Sequence, residues 1–233
     1  MKSPSVTLIS GGSAGIGAGV ARRLLGEGQR VAITGRDRSR LGKLAADLGN
    51  PASLLTFAAD AADYDAVRAA VDSTVSEYGR LDAVVASAGF AAPGSVADGD
   101  PAQWREMVLT NVLGPALLIR AALPALKQSR GRIVLIGSVA GLVHTRGNLY
   151  GATKWAVTAL AENTRLLVTG DGVGVTLVAP GRVDTPFWDI HGGPPAGENL
   201  TAGQVADAIV WALSQPTGVD VNTVTLRPAG SAV

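Results

Sequence analysis

The 233-residue chain contains no cysteine, which excludes disulfides, thiol catalysis and cysteine-ligated metal. Its two histidines, His144 and His191, are too few for a histidine-rich site, so no metal is expected. A surplus of one charge is missing too. The 20 basic and 19 acidic residues leave a formal charge of +1, and the two signs are interspersed. Neither nucleic acid nor a membrane surface finds the electrostatic footprint it needs. No basic-then-apolar leader and no run of about eighteen uncharged apolar residues occurs, so neither export nor a membrane span is expected, and the expected location is cytoplasmic. The 47% of apolar residues can build a sizeable core, in a length that suits one domain over 1–233. Small-molecule chemistry is the class these absences leave.

Residues 5–10 read as a short buried strand. Gly11-Gly12-Ser13-Ala14-Gly15-Ile16-Gly17 follows, and then a helical apolar pattern over 18–25. In a strand, glycine turn, helix context, glycines let a pyrophosphate approach the backbone and rest on the positive end of the helix. The spacing is Gly-x-x-x-Gly-x-Gly rather than Gly-x-Gly-x-x-Gly, and a plain structural turn is the competing reading. The next strand, 30–34, ends in Gly35-Arg36, where a dinucleotide fold usually presents an acid to the ribose 2′-hydroxyl. A glycine and a guanidinium leave room for a 2′-phosphate and supply its partner, which favours NADP (NADPH) over NAD. Asp37 would take the acid's part if the strand end were shifted by two residues.

A third strand, 53–58, ends near Asp60, whose carboxylate can accept from an adenine amino group or cap the helix that starts at about 63. The strand at 81–86 closes in Ser87-Ala88-Gly89, small enough for a cofactor to pass. Pro101 opens a long helical segment with Asn111 in its middle, a poor helix former that needs a reason to be there. The strand at 132–137 delivers Ser138 to its C-terminal end, where its hydroxyl can hydrogen-bond a carbonyl that is becoming an alkoxide, or be only a turn residue. Twelve residues on comes Tyr150-Gly151-Ala152-Thr153-Lys154. Ala152, Ala156, Leu160, Asn163 and Leu167 recur at helical spacing, so Tyr150 and Lys154 share one helix face. A cation beside a phenol favours the phenolate, which makes the pair a candidate acid and base near neutrality. Chance exposure of both on a helix surface is the bland alternative.

With these motifs in place the chain resembles the short-chain dehydrogenase/reductase family over nearly its whole length. The resemblance rests on the glycine spacing at Gly11, Gly15 and Gly17, the serine at Ser138, Tyr-x-x-x-Lys at Tyr150 and Lys154, and the helix asparagine at Asn111. It implies carbonyl–alcohol chemistry on a nicotinamide, with Tyr150 as acid in reduction, Ser138 on the carbonyl oxygen, Lys154 on the nicotinamide ribose and Asn111 holding a water. It further implies cofactor contacts at Ser13, Ile16, Asp60, Ala88, Gly89, Pro180, Gly181, Val183 and Thr185. Two departures stand out: the family's Asn-Asn-Ala-Gly is Ala86-Ser87-Ala88-Gly89 here, and its threonine before the first glycine is Ser10.

The expected architecture is a doubly wound, Rossmann-like parallel sheet of about seven strands with helices on both faces. Residues 182–200 interrupt the alternation and read as a substrate lid. The substrate pocket is expected between Phe90, Val139, His144, Phe187 and Trp188. Most of these are apolar and none is basic, with only Arg146 and Arg182 near in sequence, which favours a small to medium uncharged ketone or aldehyde. A ketoacyl or hydroxy-acid enzyme is the runner-up, and a non-catalytic NADP-binding regulator a third reading. The long helices at 101–127 and 150–168 suggest a homo-oligomer, a tetramer or dimer.

Overall fold

A computed structural model describes residues 4–231. In chain order it runs β1 (Val6–Ser10), α1 (Gly15–Gly26), β2 (Arg30–Gly35), α2 (Arg38–Asp47), β3 (Leu54–Ala58), α3 (Tyr64–Tyr78) and β4 (Ala83–Ala86). After β4 come α4 (Pro101–Val108), a π-helical turn (Leu109–Leu113), α5 (Gly114–Ser129), β5 (Arg132–Ile136), α6 (Leu149–Val168) and β6 (Gly174–Pro180). The last elements are β7 (Val183–Asp184), β8 (Leu200–Thr201), α7 (Ala202–Leu213) and β9 (Thr223–Leu226).

Seven strands form one parallel sheet in the order β3-β2-β1-β4-β5-β6-β9. Strands β1 and β4 have every residue buried, the pattern of a parallel sheet covered on both faces. The alternation of the strand divides the core in two. Leu8, Ile133 and Leu135 point to the face covered by α3, α5 and α6, with Val67, Leu118, Leu126 and Val157. Ile9, Val134 and Ile136 point to the other face, with Val20 and Leu24 of α1, Leu41 of α2 and Ile209 of α7. The chain reverses its direction of travel across the sheet between β1 and β4. That switch point, beyond the carboxyl ends of the strands, is where an open α/β sheet has a crevice.

The long helix expected from Pro101 is continuous to Ser129 but widened and locally underwound by one π turn. Pro115 has no N–H, so Asn111 lacks the donor that a regular helix would return to its carbonyl, and the N–H of Gly114 bonds back to Leu109 instead. Pro101–Ser129 is long and apolar enough by composition to cross a membrane, but Leu118, Ala122 and Leu126 on it belong to the core against the sheet. Residues 182–200 leave and return at one place. Val183 pairs with Leu200 and Asp184 with Thr201, and the N–H of Leu200 donates to the carbonyl of Arg182 at 2.9 Å. This small parallel pair, which the sequence pattern does not announce, fastens the base of the excursion.

Candidate active site

The carboxyl ends of β1, β4, β5 and β6 open into a cavity of about 1420 Å³. A single small-molecule site runs to roughly 300–1,000 Å³, so this cavity has room for two ligands. Ser138, Tyr150 and Lys154 all line it. Ser138 follows β5, and its hydroxyl accepts from the N–H of Ala140 at 3.1 Å, which fixes the side chain at the start of a short 3-10 turn. Asn148 caps α6 by accepting from the N–H of Gly151 at 3.0 Å, so Tyr150 and Lys154 enter on the first turns of a well-started helix. Lys154 is only 6% exposed; its Nζ donates to the carbonyl of Ile136 at 2.8 Å and sits 5.7 Å from the centre of the Tyr150 ring.

Asn111 is buried behind this row and does not line the cavity. Its Oδ1 accepts from the N–H of Phe90 at 3.0 Å, and its Nδ2 donates to the carbonyl of Phe90 at 2.8 Å and to Oγ1 of Thr153 at 3.1 Å. The Thr153 hydroxyl in turn donates to the carbonyl of Tyr150 at 2.7 Å. A continuous chain of hydrogen bonds therefore joins the loop after β4 to the turn that carries Tyr150. Both side-chain protons of Asn111 are committed, so a water on this residue falls to its backbone carbonyl, the one that Pro115 deprives of a regular partner. Thr153 was missed in the sequence, although a polar residue at a buried helical position between Tyr150 and Lys154 is a signal that finds it.

The electrostatics correct one expectation. The pair was expected to draw the Tyr150 phenol down toward neutrality; instead burial pushes it up to about 12, and the neighbouring Ser138 hydroxyl offsets only part of that rise. Burial pushes the Lys154 ammonium down to about 8. The physical reason is that loss of water outweighs the attraction between the two groups, since the ammonium is turned to the Ile136 carbonyl rather than to the phenol oxygen. At neutral pH the site therefore holds a protonated phenol, which is a proton donor, beside a mostly charged lysine.

The far end of the cavity is built for a dinucleotide. A Cβ on Gly11 (φ +67°) would stand 2.7 Å from the backbone of Ala88, and one on Gly17 would strike the Gly11 carbonyl. A Cβ on Gly89 would lie 3.1 Å from Oδ1 of Asn111, so the loop after β4 can pack this closely on Asn111 only because position 89 is bare. Helices α2, α3, α4, α6 and α7 all begin with a side-chain cap, whereas α1 begins at Ala14 with none. The first N–H groups of α1 are left for an anion, which suits a pyrophosphate. Gly11, Gly15 and Ile16 line the cavity; Gly17 works from behind the turn, and Ser13 lies outside the wall, its Oγ over Gly35.

Arg36 lines the cavity at the end of β2. Asp37, the competing candidate, does not line the cavity; its Oδ1 caps α2, accepting from the N–H of Ser39 at 2.8 Å and of Arg40 at 3.1 Å. Arg40, one helical turn further on and missed in the sequence, lines the same wall. Asp60 does not: it closes a turn by accepting from the N–H of Ala62 at 2.9 Å, and the cap of α3 is Asp63. Ala88, Gly89, Pro180, Gly181, Val183 and Thr185 all line the cavity, and Thr185 lies over Gly15.

Of the residues expected at a substrate pocket, Phe90, Val139, Phe187 and Trp188 line the cavity, with the Phe187 ring 5.6 Å from that of Tyr150. Nε1 of Trp188 donates to the carbonyl of Val183 at 2.9 Å, which fixes the indole. His144 is a correction. It is exposed and outside the cavity wall, stacked on Trp155 with ring centres 5.3 Å apart, because the flat indole offers more contact than the pocket does. Arg146 and Arg182, noted in the sequence only as neighbours, line the cavity, and Arg105, to which the sequence did not point, joins them. Arg105 comes from α4, which no local motif connects to the site.

The model of the short chain dehydrogenase family matches residues 5–191. An uncharacterized oxidoreductase of Staphylococcus epidermidis is 37% identical over 227 residues, 96% of each chain. An alcohol dehydrogenase from the archaeon Thermococcus sibiricus, solved with 5-hydroxy-NADP, superposes with a TM-score of 0.88 at 27% identity over 98% of each chain. The closed form of a serine dehydrogenase with NADP+ superposes at 0.89 with 29% identity, covering 98% of this chain and 96% of that one.

Proposed function

This chain belongs to the short-chain dehydrogenase family, as an NAD(P)-dependent oxidoreductase acting on CH–OH groups, and on that premise we propose that it interconverts a carbonyl and an alcohol with NADPH, using Tyr150 as the proton donor. The observation that carries this is the common cavity: Ser138, Tyr150 and Lys154 at one end, the uncapped α1 and Arg36 at the other. When bound, the nicotinamide supplies or takes the hydride. The protein supplies the rest. The Ser138 hydroxyl donates to the substrate oxygen, and Tyr150 passes its proton to that oxygen as it gains negative charge. Lys154 holds a positive charge beside the phenol and the ribose position, and a water at the Asn111 carbonyl returns the proton. Phe187 and Trp188 exclude bulk water from the reacting position, and residues 182–200 act as the lid that carries them.

The preference for NADPH is supported by Arg36 and Arg40 on one wall, with Asp37 engaged in capping α2. The neighbours superposed above were solved with NADP-type cofactors, and a 3-ketoacyl-(acyl-carrier-protein) reductase of Brucella melitensis, similar at TM-score 0.86 and 25% identity, with NADH. The second reading, a hydroxy-acid or ketoacyl enzyme, is favoured by the arginines of the outer wall. Self-association is also proposed: Leu113, Trp155, Leu166 and Leu167 on the π turn and α6 are between 39% and 67% exposed, an apolar surface that a second copy would cover, in a homo-oligomer that we take to be a tetramer.

The test of the mechanism is a carbonyl panel followed by nicotinamide absorbance, with Tyr150→Phe as the control. Turnover should fall by about 10²–10⁴, the range of a lost general acid, while NADPH binding stays within about twofold. Near-normal kcat in Tyr150→Phe would sink the assignment.

A further inference from the structure

The cavity changes character from its floor outward. Around the reacting position its walls are Val139, Phe187 and Trp188, with the neutral hydroxyls of Ser138 and Tyr150. Arg105 and Arg146, both exposed, also line it. The acids that line the cavity are Glu106, whose carboxylate is 3.6 Å from Arg105, and Asp189. Arg182 is engaged, donating to the carbonyl of Ala196 at 3.3 Å. Arg146 has neither a hydrogen-bond nor an ion-pair partner among the described residues. It is a cavity-lining guanidinium with its full set of donors free.

Its backbone is nevertheless held. The N–H of Asn148 donates to the carbonyl of Thr145 at 3.2 Å, closing a turn around Arg146, and the N–H of Val96 donates to the carbonyl of Gly147 at 3.0 Å. Asn148 then caps α6. Arg146 is thus fixed four residues before Tyr150, and even a fully extended chain would put no more than about 14 Å between their Cα atoms. The arginines at the other end, Arg36 and Arg40, follow β2, three strands from β5 in the sheet, and are assigned above to the cofactor.

We infer that the substrate carries a carboxylate at the end remote from the reacting carbon, bound by Arg146 with Arg105 as a second donor, so that the enzyme works on a short hydroxy-acid and keto-acid pair. This rests on the carbonyl–alcohol reading above and replaces the uncharged substrate expected from the sequence, because Arg146 both lines the cavity and has its donors free. A carboxylate fits better than a phosphate. The planar guanidinium matches two carboxylate oxygens at once, and one unpaired cation balances a monoanion but not a dianion. The start of α4, whose Ala102 and Gln103 also line the cavity, gives a phosphate no help, because Asp100 already caps it by accepting from the N–H of Ala102 at 2.9 Å.

The experiment compares acetoacetate and 4-oxopentanoate, each against its methyl ester, as substrates of the wild type, Arg146→Gln and Arg105→Gln with NADPH. In parallel, binding of the unreactive valerate and methyl valerate to the NADPH complex is measured by calorimetry. Loss of a charged hydrogen-bond partner corresponds to a factor of about 10 or more. The wild type should prefer acid to ester by at least that factor in kcat/KM, the ratio should fall toward one in Arg146→Gln, and valerate binding should weaken to match. Equal use of acid and ester by the wild type overturns the proposal, as does a preference untouched by both substitutions. If no carbonyl compound is turned over, the carbonyl–alcohol reading fails, and the valerate titration still decides: binding lost in Arg146→Gln upholds the anion site, and no binding to the wild type refutes it.

Discussion

Replacing Lys154 by methionine should make the protein more stable at neutral pH while disabling it. The ammonium is 6% exposed, and burial alone accounts for the fall of its pKa from 10.5 to about 8. At about 1.4 kcal/mol per tenfold change in equilibrium, the charged lysine costs the folded state about 3 kcal/mol at pH 7. Against this stands the bond from Nζ to the Ile136 carbonyl, whose loss costs roughly 1–2 kcal/mol. Methionine has a similar length and no charge, so the net expectation is a gain of about 1–2 kcal/mol, or roughly 3–6 °C in Tm for a chain of this size.

The pH dependence gives the sharper test, and its sign follows from the direction of the shift. Between about 8 and 10.5 the unfolded chain holds the lysine proton and the folded chain does not, so wild-type stability from this group rises with pH across that window. Lys154→Met lacks that rise. Its advantage at pH 7 should therefore shrink and reverse by about pH 10, where only the lost Ile136 contact remains. Tyr150 titrates in the opposite sense, since its stabilising protonated form is lost only as pH climbs toward 12, and it is common to both proteins. Urea unfolding of both at pH 7 and pH 10 is the assay. A Lys154→Met protein less stable than wild type by the same amount at both pH values would refute the reasoning.

Three further outcomes are expected. Arg36→Ala and Arg40→Ala should each lower kcat/KM for NADPH by about tenfold, as for a lost charged hydrogen bond, and leave NADH little changed; an unaltered NADPH to NADH ratio in both would remove the phosphate from this wall. Thr153→Val should lower kcat by roughly tenfold, leave NADPH affinity intact and speed amide exchange at Phe90, because the hydroxyl links Asn111 to the Tyr150 turn, while Thr153→Ser should restore all three; a serine variant as impaired as the valine would show that the methyl group matters instead. Sedimentation at micromolar concentration should find an oligomer that Leu166→Glu or Leu167→Glu weakens, and a stable wild-type monomer would end the proposal of self-association.

What was legible in the sequence was what is local in the chain. The glycine turn is seven consecutive residues, and its demand for missing Cβ atoms comes from a single close approach, Gly11 to Ala88. The Tyr150 and Lys154 pair is one turn of one helix. The buried strands declared themselves as short apolar runs, and their parallel order followed from the helices between them. Hidden from the sequence were features that depend on which segments meet. Asn111 and Thr153 are 42 residues apart and are joined only when α6 packs beside the π turn. Arg105 reaches the cavity because α4 starts at its edge, and nothing in its neighbourhood announces that. His144 was placed in the pocket by its nearness to Ser138 in the chain, but its ring found Trp155.

The sign of the Tyr150 shift belongs to the same category, and it bears on the pH dependence of each direction of the reaction. A tyrosine and a lysine one turn apart read as an attraction, because the sequence shows charge and spacing but not dielectric. The fold adds the missing quantity: Phe187 against the Tyr150 ring, the floor of the sheet below, and an ammonium turned away to the Ile136 carbonyl. With the phenol at about 12 and the lysine at about 8, a protonated acid beside a cation is the resting state at neutral pH. Carbonyl reduction consumes a proton that is already in place, whereas alcohol oxidation needs the phenolate, which charge brought in with the ligands would have to stabilise. The reductive direction should therefore hold its rate up to about pH 8 and decline as Lys154 loses its charge. A reduction rate that climbed through that range would mean that the deprotonated lysine, and not the ammonium, is the working form.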